Sequence, residues 1–301
     1  MNPNRITVIG SSNTDMVIKT TKLPAPGETI LGGDFFMNAG GKGANQAVAA
    51  VRLGGNVSFI AKTGDDIFGK QARELFKAEE IKTDFLVIDE GHPSGVALIT
   101  VDSLGENCIV VAPGSNSHLS PTDIDSALEE IIQSEIILIQ LEIPIETVAY
   151  AVNFAFKAGK KVILNPAPAA IITDNLLSKL YMITPNETEA ELISGIPVVD
   201  TGSAILAAKN LYERGVKVVI ITLGSKGALL YTGGDAKLIP SPKVNAIDTT
   251  AAGDVFNGAI AVAISEGFDL EDAVRFACEA AAISVTRMGA QSSAPYRHEL
   301  A

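Results

Sequence analysis

Five short runs of β-branched and aliphatic residues recur along the chain, with stretches of helical spacing between them. This alternation limits the folds open to the chain more than any other feature. The runs are RITVIG from Arg5, VSFIAKTG from Val57, EIILIQL from Glu135, KKVILNP from Lys160 and KVVIITLG from Lys217. They are continuously apolar, as in strands buried on both faces. LSPTDIDSALEEIIQS predicts a helix capped by Ser120, with Pro121 at its first position and Asp123 three residues after the cap. IETVAYAVNFAFKAG predicts a helix that buries Ile145, Val148, Ala149, Val152 and Phe156 and stops at Gly159. The expected fold class is α/β: a three-layer sandwich with a central, mostly parallel sheet between helices.

Two stretches break the rhythm. Residues 14–38 hold strand-like runs around LPAPG and no helix, and residues 94–114 read as a hairpin with LGEN as its turn. Both are expected to be antiparallel and to form one small β-sheet, a candidate lid; an antiparallel edge of the main sheet is the alternative. The division assigns 1–13, 39–93 and 115–301 to a nucleotide- and sugar-binding core, and 14–38 with 94–114 to the lid.

Composition narrows the classes of function. The formal charge of −12 disfavours nucleic acid or an anionic membrane as the main partner. No apolar run approaches the roughly 18 residues of a membrane helix, and the segment MNPNRITVIGSSN has no signal-peptide pattern. The two cysteines, Cys108 and Cys278, form no C-x-x-C pair, which fits a reducing cytoplasm and argues against zinc.

The phosphate-binding motifs G-x-x-x-x-G-K-[ST] and G-x-G-x-x-G are absent. What remains is a set of local signals. NAGGKGANQAVAAV places Gly41, Lys42 and Asn45 at a helix start, suited to close approach to a ligand or to a flexible turn. Asn13 and Asp15 follow the first strand and Glu142 follows the third run, where parallel α/β sheets bind ligands; taken as isolated residues, Asn13 and Asp15 read first as an Asx-turn. Asn186 and Glu189 in TPNETEAEL have the form of a capping box, and also suit phosphates and Mg²⁺ through water. TLGSKG from Thr222 fits a nucleotide contact or a β-turn. NAIDTTAAGDVFNGAI sets the carboxylate of Asp254 at an apparent helix start, where amides favour anions.

Taken in order, SSNTD, AGGKGANQA, TGDD, NPAPA, TPNETEAE, ITLGSKG and DTTAAGDVFNGA resemble the ribokinase-like family of carbohydrate kinases, from about Arg5 to Ser293. GGKGANQA, NPAPA and TPNETEAE point to its ribose-phosphorylating members rather than to fructose or nucleoside kinases. Ala251 departs from the broader family, where many members carry Gly. The resemblance implies a β-sheet lid through which two chains pair as a homodimer, and ATP-dependent conversion of D-ribose to D-ribose 5-phosphate.

It also implies the roles of residues. Asp254 is the expected general base, beside an anion hole formed by the amides of Ala252, Gly253 and Asp254. Gly253 is expected to provide the tight turn, and the helix end to favour the ionised carboxylate. Asn13, Asp15, Gly41, Lys42, Asn45, Glu142 and Asp254 match sugar-binding positions. Asn186, Thr222, Gly224, Ser225, Gly227, Gly253 and Cys278 match nucleotide-binding ones. Glu189 matches a Mg²⁺-organising glutamate. Asp248, Thr250, Ser284, Arg287, Gly289 and Ser293 match a K⁺ site, several through carbonyls; read without the resemblance, VTRMGAQSS is a helix end stopped at Gly289. The alternatives are a kinase for 2-deoxyribose or another small sugar, a non-catalytic sugar- or nucleotide-binding relative, and an oxidoreductase weakened by the missing glycine fingerprint.

Overall fold

The computed structural model describes residues 4–300; residues 1–3 and 301, assigned above to the core, lie outside the described residues. The strands are β1 Arg5–Ile9, β2 Asn13–Lys19, β3 Phe35–Gly40, β4 Asn56–Gly64, β5 Leu86–Asp89, β6 Gly95–Val101, β7 Asn107–Ala112, β8 Ile136–Ile139, β9 Lys161–Leu164, β10 Met182–Ile183, β11 Val218–Thr222, β12 Ala228–Tyr231 and β13 Ala236–Ile239. The helices are α1 Lys42–Arg52, α2 Ile67–Ala78, α3 Pro121–Asp125, α4 Leu128–Gln133, α5 Ile145–Lys157, α6 Asp174–Leu177, α7 Glu187–Ser194, α8 Thr201–Glu213, α9 Ala252–Ser265 and α10 Leu270–Ser284.

Nine strands form one sheet in the order β13-β12-β11-β10-β9-β8-β1-β4-β5. All five strands expected from the sequence lie in it. β1 pairs in parallel with both β4 and β8, so Ile6 sits between Val57 and Ile136. Only β12 and β13 run antiparallel to their neighbours, at one edge. The chain moves outward from β1 to β4 and β5, then returns to the other side with β8. The reversal point between β1 and β8 is where such sheets open a crevice at their carboxyl ends.

A separate hydrophobic core covers each face of the sheet. One contains α1, α9 and α10. The sequence of α9 is apolar nearly all round, and it is buried from Asp254 to Ser265, as expected of an interior helix. Gly258 permits its contact with α1: a Cβ there would lie 2.7 Å from Ala49 Cβ and 2.8 Å from the Gln46 carbonyl oxygen.

Two local expectations change. The helix expected after Ser120 is two short ones, α3 and α4. The Ser120–Asp123 capping box forms, but Ser126 Oγ bonds back to the Asp123 carbonyl and the chain breaks at Ala127. In α5 the buried residues are Thr147, Val148, Ala151, Val152 and Ala155, whereas Ile145 and Phe156 are about half exposed. Small side chains let the helix backbone approach the sheet, so the alanine face turns inward.

Four strands form a second sheet, ordered β3-β2-β6-β7. The β2–β3 and β6–β7 pairs are antiparallel, but β2 and β6 are parallel, with Asn13 opposite Gly95. The purely antiparallel expectation fails at this junction because both strands leave the large sheet in the same direction. One face of the small sheet presents Asp15, Val17, Lys19, Phe36, Asn38 and Ile99 to a cleft. The other exposes Ile18, Phe35, Met37, Leu98 and Val110.

Gly258→Ala is expected to destabilise the fold by about 1–3 kcal/mol, the usual range for overpacking. Urea unfolding monitored by circular dichroism checks this; a loss below about 0.5 kcal/mol, the usual range for neutral surface changes, would show that α1 and α9 can separate freely.

Candidate active site

The site is built where α1 meets the end of β1. A Cβ on Gly43 would lie 2.6 Å from Ser11 N, and one on Gly41 (φ 89°) would lie 2.7 Å from Asn13 N. The Gly-Gly-Lys-Gly segment is thus fixed by backbone contact, with α1 beginning at Lys42 itself. No side chain of its own segment caps this helix. Glu142, at the end of the β8 segment, accepts hydrogen bonds from Lys42 N (2.9 Å) and Ser11 Oγ. A carboxylate at a helix N-terminus is favoured by the dipole.

Asp254 lies in the first turn of α9 and is 5% exposed. Asn45 Nδ2 donates to its Oδ2 and Gln46 Nε2 to its Oδ1, both at 2.9 Å. Burial nevertheless pushes its carboxyl up from the ordinary range, with Lys42 and the two amides pulling the other way and Glu142 adding to the rise. The expectation that the helix end would favour the ionised form is outweighed by desolvation. Lys42 is raised chiefly by Asp254, against burial. Asp15 is pushed up to about 6 by burial and by Glu142 and Asp254. These four residues form one electrostatic cluster of three carboxylates around an ammonium. Gly40 makes room for Asp15, whose Oδ1 would lie 2.3 Å from an added Cβ. Asn13 accepts a bond from Asn116 Nδ2 (2.8 Å) and makes no Asx-turn of its own. The Asn45 Oδ1 is buried without a hydrogen-bond partner, an arrangement that calls for an outside donor.

The tight turn before α9 lies at Ala251 and not at Gly253. Ala251 has φ 61° and ψ 9°, a left-handed conformation that costs a non-glycine residue about 1–2 kcal/mol. Gly253 is helical, exposed, and has nothing within 4 Å of an added Cβ. Its contribution is a bare amide at the helix start, where first-turn N–H groups lack intrahelical acceptors. Ala252 N makes one long bond, 3.3 Å, to the Thr249 carbonyl.

Asn186 and Glu189 do form a capping box: Glu189 N donates to Asn186 Oδ1 (2.8 Å) and Asn186 N to Glu189 Oε2 (2.9 Å). Glu189 Oε1 accepts no hydrogen bond from the described residues, and burial raises its carboxyl while Lys42 opposes the rise. This half-engaged carboxylate can accept from water around a Mg²⁺ ion. Asn186 pairs with Thr222 in an isolated parallel bridge. Gly224 and Ser225 lie in a short 3₁₀ turn that leads through Gly227 into β12. Gly227 has φ 103°, and a Cβ there would lie 2.0 Å from the Ile239 carbonyl oxygen. Cys278 is buried in the apolar core on α10, where desolvation pushes its thiol up to about 11. Any part it takes at a nucleotide is packing.

Asp248 ties the segment before α9 to the one after α10, accepting from Thr250 N and Gly289 N, both at 2.9 Å. Burial raises its carboxyl, but these bonds outweigh it and hold the group below its usual range. The carbonyl oxygens of Asp248, Thr250 and Gly289 accept no hydrogen bond among the described residues, and such oxygens suit K⁺. The side chains of the other three expected residues bond elsewhere, Ser284 Oγ with the Ala281 carbonyl, Ser293 Oγ with the Ala290 carbonyl and Arg287 with Glu299, while the carbonyl oxygens of Arg287 and Ser293 accept no hydrogen bond among the described residues. α10 ends at Ser284, well before Gly289. A cleft of about 630 Å³ lies between the inner face of the small sheet and residues 246–250 and 288–290, with Asp15 on its wall.

Sequence reasoning gave no role to Gln46, Gln140, Asn165, Thr184 and Asn257, all buried polar residues bonded around Asp254. Their signal was available: an amide inside an apolar run, as in IILIQL or ANQAVAAV, requires a buried partner.

The model of the pfkB family carbohydrate kinases matches residues 3–297. The chain belongs to the pfkB family of carbohydrate kinases. It is 47% identical to a ribokinase of Haemophilus influenzae, over 98% of this chain and 96% of that one. It is 40% identical to a deoxyribokinase of Salmonella typhi, over 96% and 95%. The crystal structure of Arabidopsis thaliana ribokinase complexed with ribose and ATP superposes with a TM-score of 0.91 at 33% identity, covering 99% of this chain and 97% of that one. The superposition covers nearly all of this chain, including both sheets.

The raised Asp15 has a consequence for stability. Its folded value of about 6 exceeds the unfolded 3.8, so its ionised form destabilises the fold above pH 6. Asp15→Asn is expected to be more stable than the parent at pH 8, with the difference fading as pH falls from 6 towards 4. Urea midpoints at pH 8 and pH 4 check this; an equal gap at both would remove the burial effect.

Proposed function

We propose that this pfkB kinase transfers the γ-phosphoryl group of ATP to the 5-hydroxyl of D-ribose, giving D-ribose 5-phosphate and ADP. The observation that carries the reading is Asp254: a buried carboxylate with both oxygens held, in a first helical turn where the amides of Gly253 and Asp254 have no acceptor among the described residues and that of Ala252 makes only a 3.3 Å bond. Asp254 takes the proton from the sugar hydroxyl as that oxygen attacks phosphorus. The amides of Ala252, Gly253 and Asp254 stabilise the transferring phosphoryl oxygens. Asn13, Asp15, Gly41, Lys42, Asn45 and Glu142 hold the sugar, and Asn45 Oδ1 receives one of its hydroxyls. Asn186, Thr222, Gly224, Ser225 and Gly227 border the nucleotide.

Glu189 would hold Mg²⁺ through water, and Asp248, Thr250 and Gly289 would hold K⁺ by carbonyls, with Ser284, Arg287 and Ser293 on adjoining backbone. When bound, the two cations neutralise phosphate charge and order the loop before α9. The small sheet, residues 14–38 and 94–114, acts as a lid over the 630 Å³ cleft. Its exposed apolar face, with Phe35, Met37 and Leu98, pairs with a second copy in a homodimer. Two free cysteines, and no described helix long and apolar enough to cross a membrane, fit a cytoplasmic enzyme. The 40% identity to a deoxyribokinase supports 2-deoxy-D-ribose as the second reading.

ADP release with Mg²⁺-ATP and K⁺ is to be measured across D-ribose, 2-deoxy-D-ribose, D-fructose, adenosine and no sugar. Turnover is expected to be fastest with D-ribose. Faster turnover of 2-deoxy-D-ribose would keep the mechanism and change the substrate, and no turnover of any sugar would overturn the reading. Replacing K⁺ by tetramethylammonium is expected to lower the rate; an unchanged rate would remove the cation site.

A further inference from the structure

Gln46 follows Asn45 on α1 and is fully buried. Its Nε2 donates to Asp254 Oδ1 at 2.9 Å and to Asn165 Oδ1 at 3.0 Å. Its Oε1 accepts from Gln140 Nε2 at 2.6 Å. Turning the amide over would set Oε1 against two acceptor oxygens and Nε2 against a donor, so its orientation is locked. The polar chain continues from Asn165. Asn165 Nδ2 donates to the Thr184 carbonyl (3.3 Å), and Thr184 Oγ1 bonds to Asn257 Oδ1 (2.6 Å). Asn257 Nδ2 then donates to the Gly253 carbonyl (2.8 Å). The network therefore starts at the carboxylate of Asp254 and returns to the peptide one residue before it. All of its side chains are at least nine-tenths buried.

We propose that Gln46 is a positioning residue for phosphoryl transfer: held by Gln140, it fixes the carboxylate of Asp254 and joins it to the turn that carries the anion-binding amides. The proposal rests on the reading of Asp254 as the base. Asn45 and Gln46 divide the two carboxylate oxygens between them. Asn45 Oδ1 has no partner in the protein, while every polar atom of Gln46 is engaged by protein. Gln46 therefore acts on the base and not on the sugar. Its donated bond favours the ionised carboxylate against burial. Without that bond the base must lose its proton at higher pH.

The test measures pH profiles of kcat and KM for D-ribose in the full chain, for the parent, Gln46→Met, Gln46→Glu and Asp254→Asn. Gln46→Met is expected to lower kcat about ten- to a hundredfold, with KM for D-ribose changed less than about threefold. The acidic limb of kcat is expected to move up by about one pH unit. Gln46→Glu, nearly isosteric, sets a second carboxyl against Asp254 and is expected to move the limb further up. A merely structural role would lower stability and leave the limb in place. Gln140→Met, which frees Gln46 Oε1 without touching Asp254, is expected to shift the limb less in the same direction. It decides the matter if the Gln46 variants fail to fold. An unshifted limb with parental kcat in the folded variants, while Asp254→Asn is inactive, overturns the positioning role alone. Near-parental turnover of Asp254→Asn overturns the base reading and this proposal with it.

Discussion

A backbone-to-backbone contact between the start of α1 and the end of β1 sets the position of everything else in the cleft. Gly43 touches the peptide at Gly10 and Ser11, and Gly41 touches that at Ser12 and Asn13. A side chain at either glycine would push the helix away. Because the helix starts there, Lys42 N meets Glu142, Asn45 and Gln46 meet Asp254, and Asp15 meets Gly40. The contact also lies at the reversal point of the large sheet, where the carboxyl ends of β1 and β8 diverge.

The cluster so assembled is held in an unfavourable charge state. Of the three carboxylates around one ammonium, Asp254 is buried and Asp15 and Glu142 are partly so, and the direction of the shifts at Asp15 and Asp254 shows that burial dominates. Amide donors offset part of that cost at Asp254. A polyhydroxylated ligand can supply the remaining donors, which matches the open Oδ1 of Asn45. The strained Ala251 belongs to the same region: a left-handed residue sets the direction in which the chain enters α9.

Much of the fold was legible because the physics of parallel sheets is written locally. Continuous apolar runs can only be buried on both faces, so β1, β4, β8, β9 and β11 were readable one at a time. The helix details were not. α5 turned its alanines inward, and the helix after Ser120 broke in two, because packing distance and a serine back-bond outweighed periodicity. The capping box at Asn186 was readable from four residues. The turn before α9 was misplaced by two residues, since a glycine attracts the inference of positive φ and an alanine does not.

The sequence by itself determined the layered α/β architecture, the small second sheet and the family motifs, because these depend on residues close together in the chain. Tertiary structure alone decided that the Asp254 carboxylate is divided between Asn45 and Gln46, and that β2 and β6 run parallel. It also decided that the side chains of Ser284, Arg287 and Ser293 bond away from the Asp248 loop. These pairings join residues as much as 209 positions apart. Hydrogen-bond direction and burial, which choose among many possible partners, exist only once the chain has been folded back on itself.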